Sequence, residues 1–530
     1  TSKYSMLNFN KIYNLIIFVI MIKSMFRKIS IVGVILLSLF NGITSYAQSE
    51  EEKVELVQAG ALEGHEGKES YVKLKDNVIF KQGAMYLYCD SAFQYAKTNY
   101  IEAFGRVRMV QGDTLTLNCS KLEYDGNTKK AKAIGNVILV DKQTILKTNL
   151  LNYDRQLKTV SYSSGANISD KGNILTSKIG MYSTSSKIFT FKKEVHITNP
   201  GQGFLLDADT LQYSALTKIA TFRGPTTITT KDGSIVSNEG SYNTQTSVMY
   251  FGGKAQVFSG DNKISGNKID YDEKTKLGIV TGNVMIENKK DSITVLGQKA
   301  NYSGSKGYSI VSGNPLMYQV AGKDTLFLKA DTLISINDTI NKVKQLKAFY
   351  HVQLYRNDMQ ATCDSLVYDF YDSTIYLFRN PILWNGKNQL VADSIWMVQK
   401  NGKMDKMYMH VNAFVVSQDT LKNFNQIKGR EITVSFANNH IQKILVEGNA
   451  ESIYHALEED KKMIGLNKAI GGSIVVLFEK DKLSTITYVT KPSAEFIPPQ
   501  KIEPADTKLK GFKWNSKERP TRQTVIGTNL

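Results

Sequence analysis

The sequence predicts an all-β fold, an elongated β-solenoid or jellyroll of stacked repeats that each span about 30 residues. Three observations lead to this prediction: a composition typical of β structure, a tyrosine phrase that returns at a nearly constant interval, and a Gly-Asn phrase that follows each tyrosine. The 530 residues include 27 Tyr and 38 Gly but only 9 Pro. Many tyrosines and glycines with few prolines favour strands joined by frequent turns.

Residues 1–47 are expected to be an upstream extension plus a signal peptide. The segment that starts at Met25 has basic residues, an apolar run over 29–40 and the small residues Ser45 and Ala47, a pattern typical of secretion signals. A membrane anchor is the alternative interpretation. Basic residues split the apolar runs, however, and neither run reaches the ~20 apolar residues that a membrane span needs.

The tyrosine phrase is the strongest signal in the chain. It consists of a polar residue, a variable residue, an apolar or small residue, a second variable residue and Tyr, as in Ser120–Tyr124 and Asn267–Tyr271. The apolar residue and the tyrosine are two apart and therefore share one side of a β-strand. A single unit is too small to bury that side, so units must stack to form a core. Intervals of 29 to 31 residues separate the successive tyrosines Tyr124, Tyr153, Tyr182, Tyr213, Tyr242, Tyr271 and Tyr302.

The Gly-Asn phrase falls eleven residues after the tyrosine in the clearest copies, at Gly135-Asn136 and Gly282-Asn283. Beyond the last repeats the composition changes, because five of the nine prolines lie after residue 490. These patterns predict a lead-in at 48–70, a first repeat region at 71–320, a second repeat region with a C-terminal cap at 321–490, and a Pro- and Lys-rich tail at 491–530.

Motifs for catalysis, cofactors or metals are missing from the sequence. The three cysteines and six histidines have no zinc-ligand spacing, and no nucleophile elbow or phosphate loop occurs. Asp207 and Asp209 are the only paired-carboxylate candidates. Asp209 occupies the polar position of the repeat, which Asp90 and Asp364 also hold, so a structural role is favoured. We therefore expect a protein that is not an enzyme and has no cofactor and no metal.

The net charge indicates which kinds of partner to expect. Without residues 1–47 the chain carries 61 basic and 49 acidic residues, a net charge of +12. An excess of positive charge suits phosphates or membrane surfaces. The basic residues are spread along the chain instead of forming one stripe, so nucleic acid is not expected as a partner.

The apolar face of the repeats is the candidate functional site. Small residues at Gly180, Gly240 and Ala300 interrupt the large ones, which fits either a closed, packed core or a groove open to an apolar ligand. Period-2 alternation leaves open whether the tyrosine rings face such a groove. The candidates for lining it are Leu122, Tyr124, Leu151, Tyr153, Leu211, Tyr213, Ile269, Tyr271 and Leu366.

The paired phrases resemble those of the OstA/LptA family of periplasmic lipopolysaccharide transport proteins, and most closely the long OstA-like proteins of the Bacteroidota. The best copies are Lys121–Asp125 with Ala133–Val137 and Lys268–Asp272 with Thr281–Val284. The resemblance covers about residues 71–450, and both repeat regions are OstA-like.

The resemblance implies a β-jellyroll whose open groove holds the acyl chains of lipid A, and a role as a lipopolysaccharide-binding scaffold that bridges toward the outer membrane for its assembly. Other lipopolysaccharide transport proteins would join through edge-strand β-augmentation, which would also allow self-association. The implied location is the periplasm, with attachment to the outer or inner membrane through partners.

Two other functions fit a β-solenoid. A structural or adhesive surface solenoid would have a dry core and no lipid ligand. A polysaccharide-acting enzyme would need Asp, Arg or Lys clustered on adjacent rungs, and we identify no such cluster, so this alternative ranks last.

Overall fold

The computed structural model describes residues 54–527, with gaps at 68–69, 112–114, 142–143, 155, 171, 184, 200, 202, 232, 244, 273, 291, 304–306, 323, 339–340, 401–402, 438–439, 459–461 and 480–481. The expected signal peptide lies outside the described residues. The described chain is almost entirely β-strand, which confirms the predicted all-β fold.

The strands follow one another with short turns between them. The first nineteen are β1 (Glu55–Gln58), β2 (Ala61–His65), β3 (Tyr71–Gln82), β4 (Met85–Tyr95), β5 (Tyr100–Gln111), β6 (Leu115–Asp125), β7 (Lys130–Asp141), β8 (Thr144–Asp154), β9 (Thr159–Tyr162), β10 (Ala166–Asp170), β11 (Asn173–Ser177), β12 (Ile179–Ser183), β13 (Ile188–Asn199), β14 (Phe204–Ser214), β15 (Ile219–Thr230), β16 (Gly233–Asn243), β17 (Val248–Gly252), β18 (Ala255–Ser259) and β19 (Asn262–Gly266). The others are β20 (Lys268–Asp272), β21 (Leu277–Asn288), β22 (Ile293–Ser303), β23 (Tyr308–Ser312), β24 (Leu316–Ala321), β25 (Asp324–Lys329), β26 (Thr332–Asp338), β27 (Val343–Arg356), β28 (Met359–Asp369), β29 (Thr374–Phe378), β30 (Ile382–Asn385), β31 (Asn388–Val391), β32 (Ser394–Lys400), β33 (Lys403–Gln418), β34 (Phe424–Ala437), β35 (His440–Leu457), β36 (Met463–Glu479), β37 (Lys482–Val489) and β38 (Ser493–Ile497).

Helices occur only near the C-terminal end of the described chain. Three short 3₁₀ segments at Pro499–Lys501, Pro504–Thr507 and Ser516–Glu518 precede the helix α1 (Arg522–Ile526). Among the described residues, no helix has the length and apolar character that crossing a membrane requires.

The described chain divides into two compact units. The N-terminal unit contains the residues up to 260 together with 267–278, and the C-terminal unit contains 261–266 and the residues from 279 onward. Within each unit, long strands that are neighbours in sequence pair antiparallel, as β6 does with β5 and with β7. Where a strand is split, its two halves pair with the same long neighbour, as β11 and β12 both do with β13.

In many repeats one long strand bends at a corner where two successive residues lie in the left-handed region. In β7 these residues are Gly135 (φ 74°) and Asn136 (φ 48°), and the pairing register with β8 shifts between Ile134 and Val137. Glycine adopts this conformation without steric cost, and Asn tolerates it better than most residues. The Gly-Asn phrases at 135–136, 282–283, 313–314 and 448–449 therefore mark corners, and other residue pairs form the corner elsewhere. In other repeats the same corner splits the strand in two, as it does between β17 and β18.

The polar position of the tyrosine phrase lies beside the corner of the next strand. Asp90 accepts a hydrogen bond from the Arg106 backbone N–H (3.0 Å) and forms an ion pair with the Arg106 guanidinium (3.0 Å). These hydrogen bonds from Arg106 hold the pKa of Asp90 below its ordinary value. A Cβ on Gly105 would come within 2.6 Å of the Asp90 Cβ, so glycine is needed there for space as well as for φ (+90°). This arrangement confirms the structural role expected for the aspartates of the repeat.

The predicted carboxylate pair does not form a common site. Asp209 lies beside the corner at Gly224, whose Cβ would come within 2.8 Å of the Asp209 Cβ. Asp207 forms a short hydrogen bond with Nδ1 of His196 on the neighbouring strand. Both carboxylates are therefore explained by local structure.

The corner divides each strand into two halves that belong to two walls. We call the half that carries the phrase tyrosine the tyrosine wall, and the half that carries Cys89, Cys119 or Cys363 the cysteine wall. In the C-terminal unit one hydrophobic cluster unites both walls: Leu328 and Ala361 come from the cysteine wall, and Leu346 and Leu366 from the tyrosine wall. The core therefore lies between the two walls.

The segment 498–527, which we call the strap, follows the outer side of the cysteine wall of the C-terminal unit. Two buried glutamines of that wall bind its backbone. Gln426 donates to the Thr507 carbonyl (2.8 Å) and accepts from the Leu509 N–H (2.9 Å). Gln389 donates to the Lys513 carbonyl (2.9 Å) and accepts from the Asn515 N–H (2.7 Å).

The strap ends on an apolar anchor. Val525 and Ile526 of α1 are buried against Leu316 and Phe327 on the outer side of the wall. Part of the predicted tail is thus an ordered segment that covers apolar surface, and its first residues form β38, which pairs with β36.

Candidate functional site

In each unit, the inward-facing side chains of the two walls form a face, which we call the inner face of that unit. In β6 the inward residues are Leu117 and Cys119 before the corner and Leu122 and Tyr124 after it. The spacing between Cys119 and Leu122 is three instead of two, because the bulge shifts the alternation by one residue. Both halves of the strand therefore direct their apolar side chains to the same core.

The predicted leucine and isoleucine candidates all lie on the inner face and are buried. Leu122, Leu151, Leu211 and Ile269 have exposed fractions of 1 to 6%, and Leu366 is fully buried. Direct cross-strand pairs connect these positions in the tyrosine wall. Ala133 of β7 is paired with both Leu122 and Leu151.

The tyrosine candidates lie on the same side of their strands, but their exposure differs. Tyr213 and Tyr271 are buried. Tyr124 is half-buried, and its hydroxyl group donates to Oε1 of Gln82 (3.2 Å), at the far end of β3. Tyr153 has an exposed fraction of 37%, which is the highest value among the candidate residues.

Small residues on the inner face do not leave free space. A Cβ on Gly240 would lie 2.2 Å from the ring of Phe222, and one on Gly180 would lie 2.3 Å from the ring of Tyr162. Neighbouring aromatic rings fill both sites. The alternation of large and small residues therefore reflects interlocking packing and is not a sign of an open groove.

One accessible part of the inner face lies in β5 to β8. There, Tyr124 and Tyr153 on the tyrosine wall and Met109 and Leu115 on the cysteine wall are half-buried or exposed. Met109 and Leu115 were not among the sequence candidates. Leu115 begins β6 and alternates with Leu117, and Met109 of β5 is paired with Leu117, so the two-residue alternation around Leu117 could have identified Leu115. We call these four residues the mouth of the inner face.

The cysteines of the inner face have the character of unreactive structural thiols. Cys89, Cys119 and Cys363 are free thiols at equivalent positions, the last inward residue before the corner. Burial raises the pKa of Cys363 to about 12, so its thiol is protonated at neutral pH. The described residues contain no group of three or more His, Cys, Asp or Glu placed to hold a metal ion.

Two family models match the chain. Residues 51–205 match the family of OstA-like proteins, and residues 271–403 match the family of the LptA/(LptD N-terminal domain) LPS transport protein. Among solved structures, the chain is similar to LptH, the LptA-homologous periplasmic component of the lipopolysaccharide transport device from Pseudomonas aeruginosa. That similarity has 15% sequence identity and a TM-score of 0.15, and it covers 26% of this chain and 82% of the other. No curated protein matches the chain.

The two-walled β-repeats and the two family matches define a protein of the lipopolysaccharide transport type. The chain belongs to the OstA-like/LptA family. The families that it matches consist of transport proteins and not of enzymes.

Proposed function

We propose that the chain binds lipopolysaccharide in the periplasm and passes it toward the outer membrane, with the acyl chains of lipid A held on the inner face of the N-terminal unit. The observation that carries this proposal is the mouth of the inner face. It combines accessible apolar side chains from both walls with a family match over the same residues. An acyl chain that binds at the mouth is removed from water, and this burial is favourable by roughly 0.8 kcal/mol for each CH₂ group.

The mouth also indicates where lipid would enter. Tyr213 and Tyr271 are closed off, whereas Tyr153 at the equivalent position is accessible. The hydrogen bond between Tyr124 and Gln82 connects strands that lie 42 residues apart in sequence. An acyl chain that enters beside Tyr153 would displace this single contact before it reaches Leu122 and Leu151.

Partners would attach at the N-terminal edge. Strands β1 and β2 pair with β3, and no other described strand pairs with them. Leu56 and Leu62 lie opposite the buried Phe80 and Leu74 but are themselves 36% and 63% exposed. An edge with unpaired backbone groups and exposed apolar side chains suits β-augmentation by another transport protein or by a second copy.

The family matches and the expected signal peptide support a location in the periplasm. An exported, soluble location between the two membranes suits a protein that carries a lipid on a β-sheet face. Attachment to either membrane would then come from partners bound at sheet edges.

The test is site-specific photo-crosslinking in cells. A photoreactive amino acid at Leu115 or Tyr153 should give a lipopolysaccharide adduct on the purified chain. Matched controls one residue away, Thr116 and Asn152, point to the other side of the same strands and should give none. Equal adducts at inward and outward positions would show that lipid contact is unspecific.

A structural solenoid without a lipid ligand is the second candidate. The observation that favours it is the C-terminal unit, where one large cluster of buried residues lies between the walls and partly buried side chains such as Phe436 and Tyr488 pack against it. If folded, exported protein gave no adduct at any mouth position, the structural function would replace lipid transport.

A further inference from the structure

The turns of the tyrosine wall carry a recurrent lysine in an unfavourable backbone conformation. In the N-terminal unit, seven such turns end with a residue in the left-handed region immediately before the next strand. Glycine and asparagine are the residues that tolerate this conformation best. Two of the seven positions are Asn99 and Ser247, and the other five are Lys129, Lys158, Lys187, Lys218 and Lys276, with φ between 53° and 62°.

Turn formation does not explain the choice of lysine. An aliphatic side chain with a terminal ammonium cannot make the short local hydrogen bonds through which Asn tolerates a positive φ. The turns are closed by other residues: Asp125 accepts from the backbone N–H groups of Asn127 and Thr128, and Asp154 accepts from that of Leu157. Lysine therefore recurs five times at a site where glycine or asparagine would serve the fold better.

Strand pairing places these lysines in a row. Lys129, Lys158, Lys187 and Lys218 belong to four successive turns of the tyrosine wall, and neighbouring turns are two strands apart. Strands in a sheet are about 4.8 Å apart, so successive turns are roughly 10 Å apart. Each turn directly follows the tyrosine at the end of the inner face, so the row lies along one rim of that face.

The two rims differ in charge. The seven five-residue segments that end at these left-handed positions, from 95–99 to 272–276, contain eight basic and four acidic residues. Six five-residue segments that include the connections at the other end of these strands, from 81–85 to 230–234, contain four basic and four acidic residues, so their net charge is zero. Positive charge is thus concentrated on the rim beside Tyr124 and Tyr153.

We propose that the lysine row binds the phosphate groups of the glycolipid whose acyl chains occupy the inner face. This inference rests on the proposed function. A lipid held by its acyl chains at the mouth places its polar headgroup at the rim, where Lys129 and Lys158 flank the mouth tyrosines. Ammonium groups bind phosphate as point charges, so a row of them accepts headgroups at any repeat without demanding one orientation.

The experiment compares two probes and two variants of the full chain. The probes are lipid A with its phosphates and the same lipid A after enzymatic dephosphorylation, with affinities measured by calorimetric titration. The rim variant carries Lys129→Asn, Lys158→Asn, Lys187→Asn and Lys218→Asn. The control variant removes the same charge from the exposed side of the strap, with Lys501→Asn, Lys510→Asn, Lys513→Asn and Lys517→Asn.

We expect the rim variant to bind phosphorylated lipid A about 30-fold more weakly, which corresponds to two lysine contacts of roughly fivefold each. It should bind dephosphorylated lipid A as the wild type does, and its melting temperature should stay equal or rise, because Asn tolerates the left-handed turn better than Lys. The control variant should bind both probes normally.

Other results would overturn the inference. Unchanged binding of phosphorylated lipid A by the rim variant, or an equal loss for both probes, would exclude a phosphate-binding role. An equal loss of affinity in the control variant would mean that binding depends on the net charge of the chain and not on the position of the lysines. Failure of the proposed function is distinguishable, since the wild type itself would then bind neither probe.

Discussion

Replacing Gln389 by Leu should release the strap without unfolding the repeats. Gln389 is fully buried, donates to the Lys513 carbonyl and accepts from the Asn515 N–H, and also donates to Oδ1 of Asn515 at the longer distance of 3.4 Å. Leucine fills a similar volume but has no polar atoms, so both backbone groups of the strap lose their partner. A stranded buried polar group costs roughly 1–3 kcal/mol. Two groups lose their partner, and Lys513 is exposed and Asn515 half-buried, so the lower part of that range applies to each. We therefore expect a loss of about 2–4 kcal/mol in the docking free energy of the strap.

The effect should be local, because the strap contacts the outer side of the wall while the core lies between the walls. About 2–4 kcal/mol corresponds to an increase of roughly 30- to 1000-fold in the strap's opening equilibrium constant. Amide hydrogen exchange across 508–520 and tryptic cleavage at Lys513 and Lys517 report this opening directly. The control is Lys387→Ala, because Lys387 is an exposed residue of the turn that precedes β31 and lies two positions before Gln389.

Two results would refute this reasoning. Unchanged exchange and cleavage in Gln389→Leu would mean that its two hydrogen bonds do not hold the strap. Equal acceleration in the strap and in β36 would mean that the strap and the repeats unfold together, contrary to a locally docked segment.

Three further predictions concern packing, pH and the thiols. Gly240→Ala should destabilise the N-terminal unit by about 1–3 kcal/mol in denaturant unfolding, because its Cβ would overlap the Phe222 ring; a neutral result would show that the ring can move aside. Burial lowers the pKa of His455, so the folded state binds a proton on this ring less well than the unfolded state does. The free energy of unfolding should therefore fall as the pH drops below about 6.5. His455→Gln should make the free energy of unfolding less dependent on pH between pH 7.5 and 5. The thiol of Cys363, with a pKa of about 12, should resist iodoacetamide in the native state and react on unfolding, as mass spectrometry would show.

The strap shows what sequence reasoning could and could not give for the C-terminal region. Five prolines and several lysines after residue 490 predict an irregular, extended segment, and the segment is indeed mostly irregular after β38. The sequence does not reveal that Gln389 and Gln426 bind its backbone from positions 81 to 126 residues away. Glutamine on a strand normally faces water, and only the folded arrangement brings the strap over it.

The inner face shows a similar division. The two-residue spacing of Leu122 and Tyr124 predicts that they share one side, and the structure places both on the inner face. Gly180 and Gly240 suggest free space in the sequence, yet the rings of Tyr162 and Phe222 fill it. Whether a small residue leaves a gap depends on its cross-strand neighbour, and the sequence order alone does not name that neighbour.

The sequence by itself determined the repeat, the all-β fold and the family, because each unit must present the same apolar pattern and the same Gly-Asn corner in order to stack. Only the tertiary structure decided which tyrosines are accessible, since Tyr124, Tyr153 and Tyr213 occupy the same place in their repeats and differ only in what covers them. Local pattern sets the direction of a side chain. Its exposure is set by strands that lie far away in the sequence, because burial is a property of the packed walls and not of the single repeat.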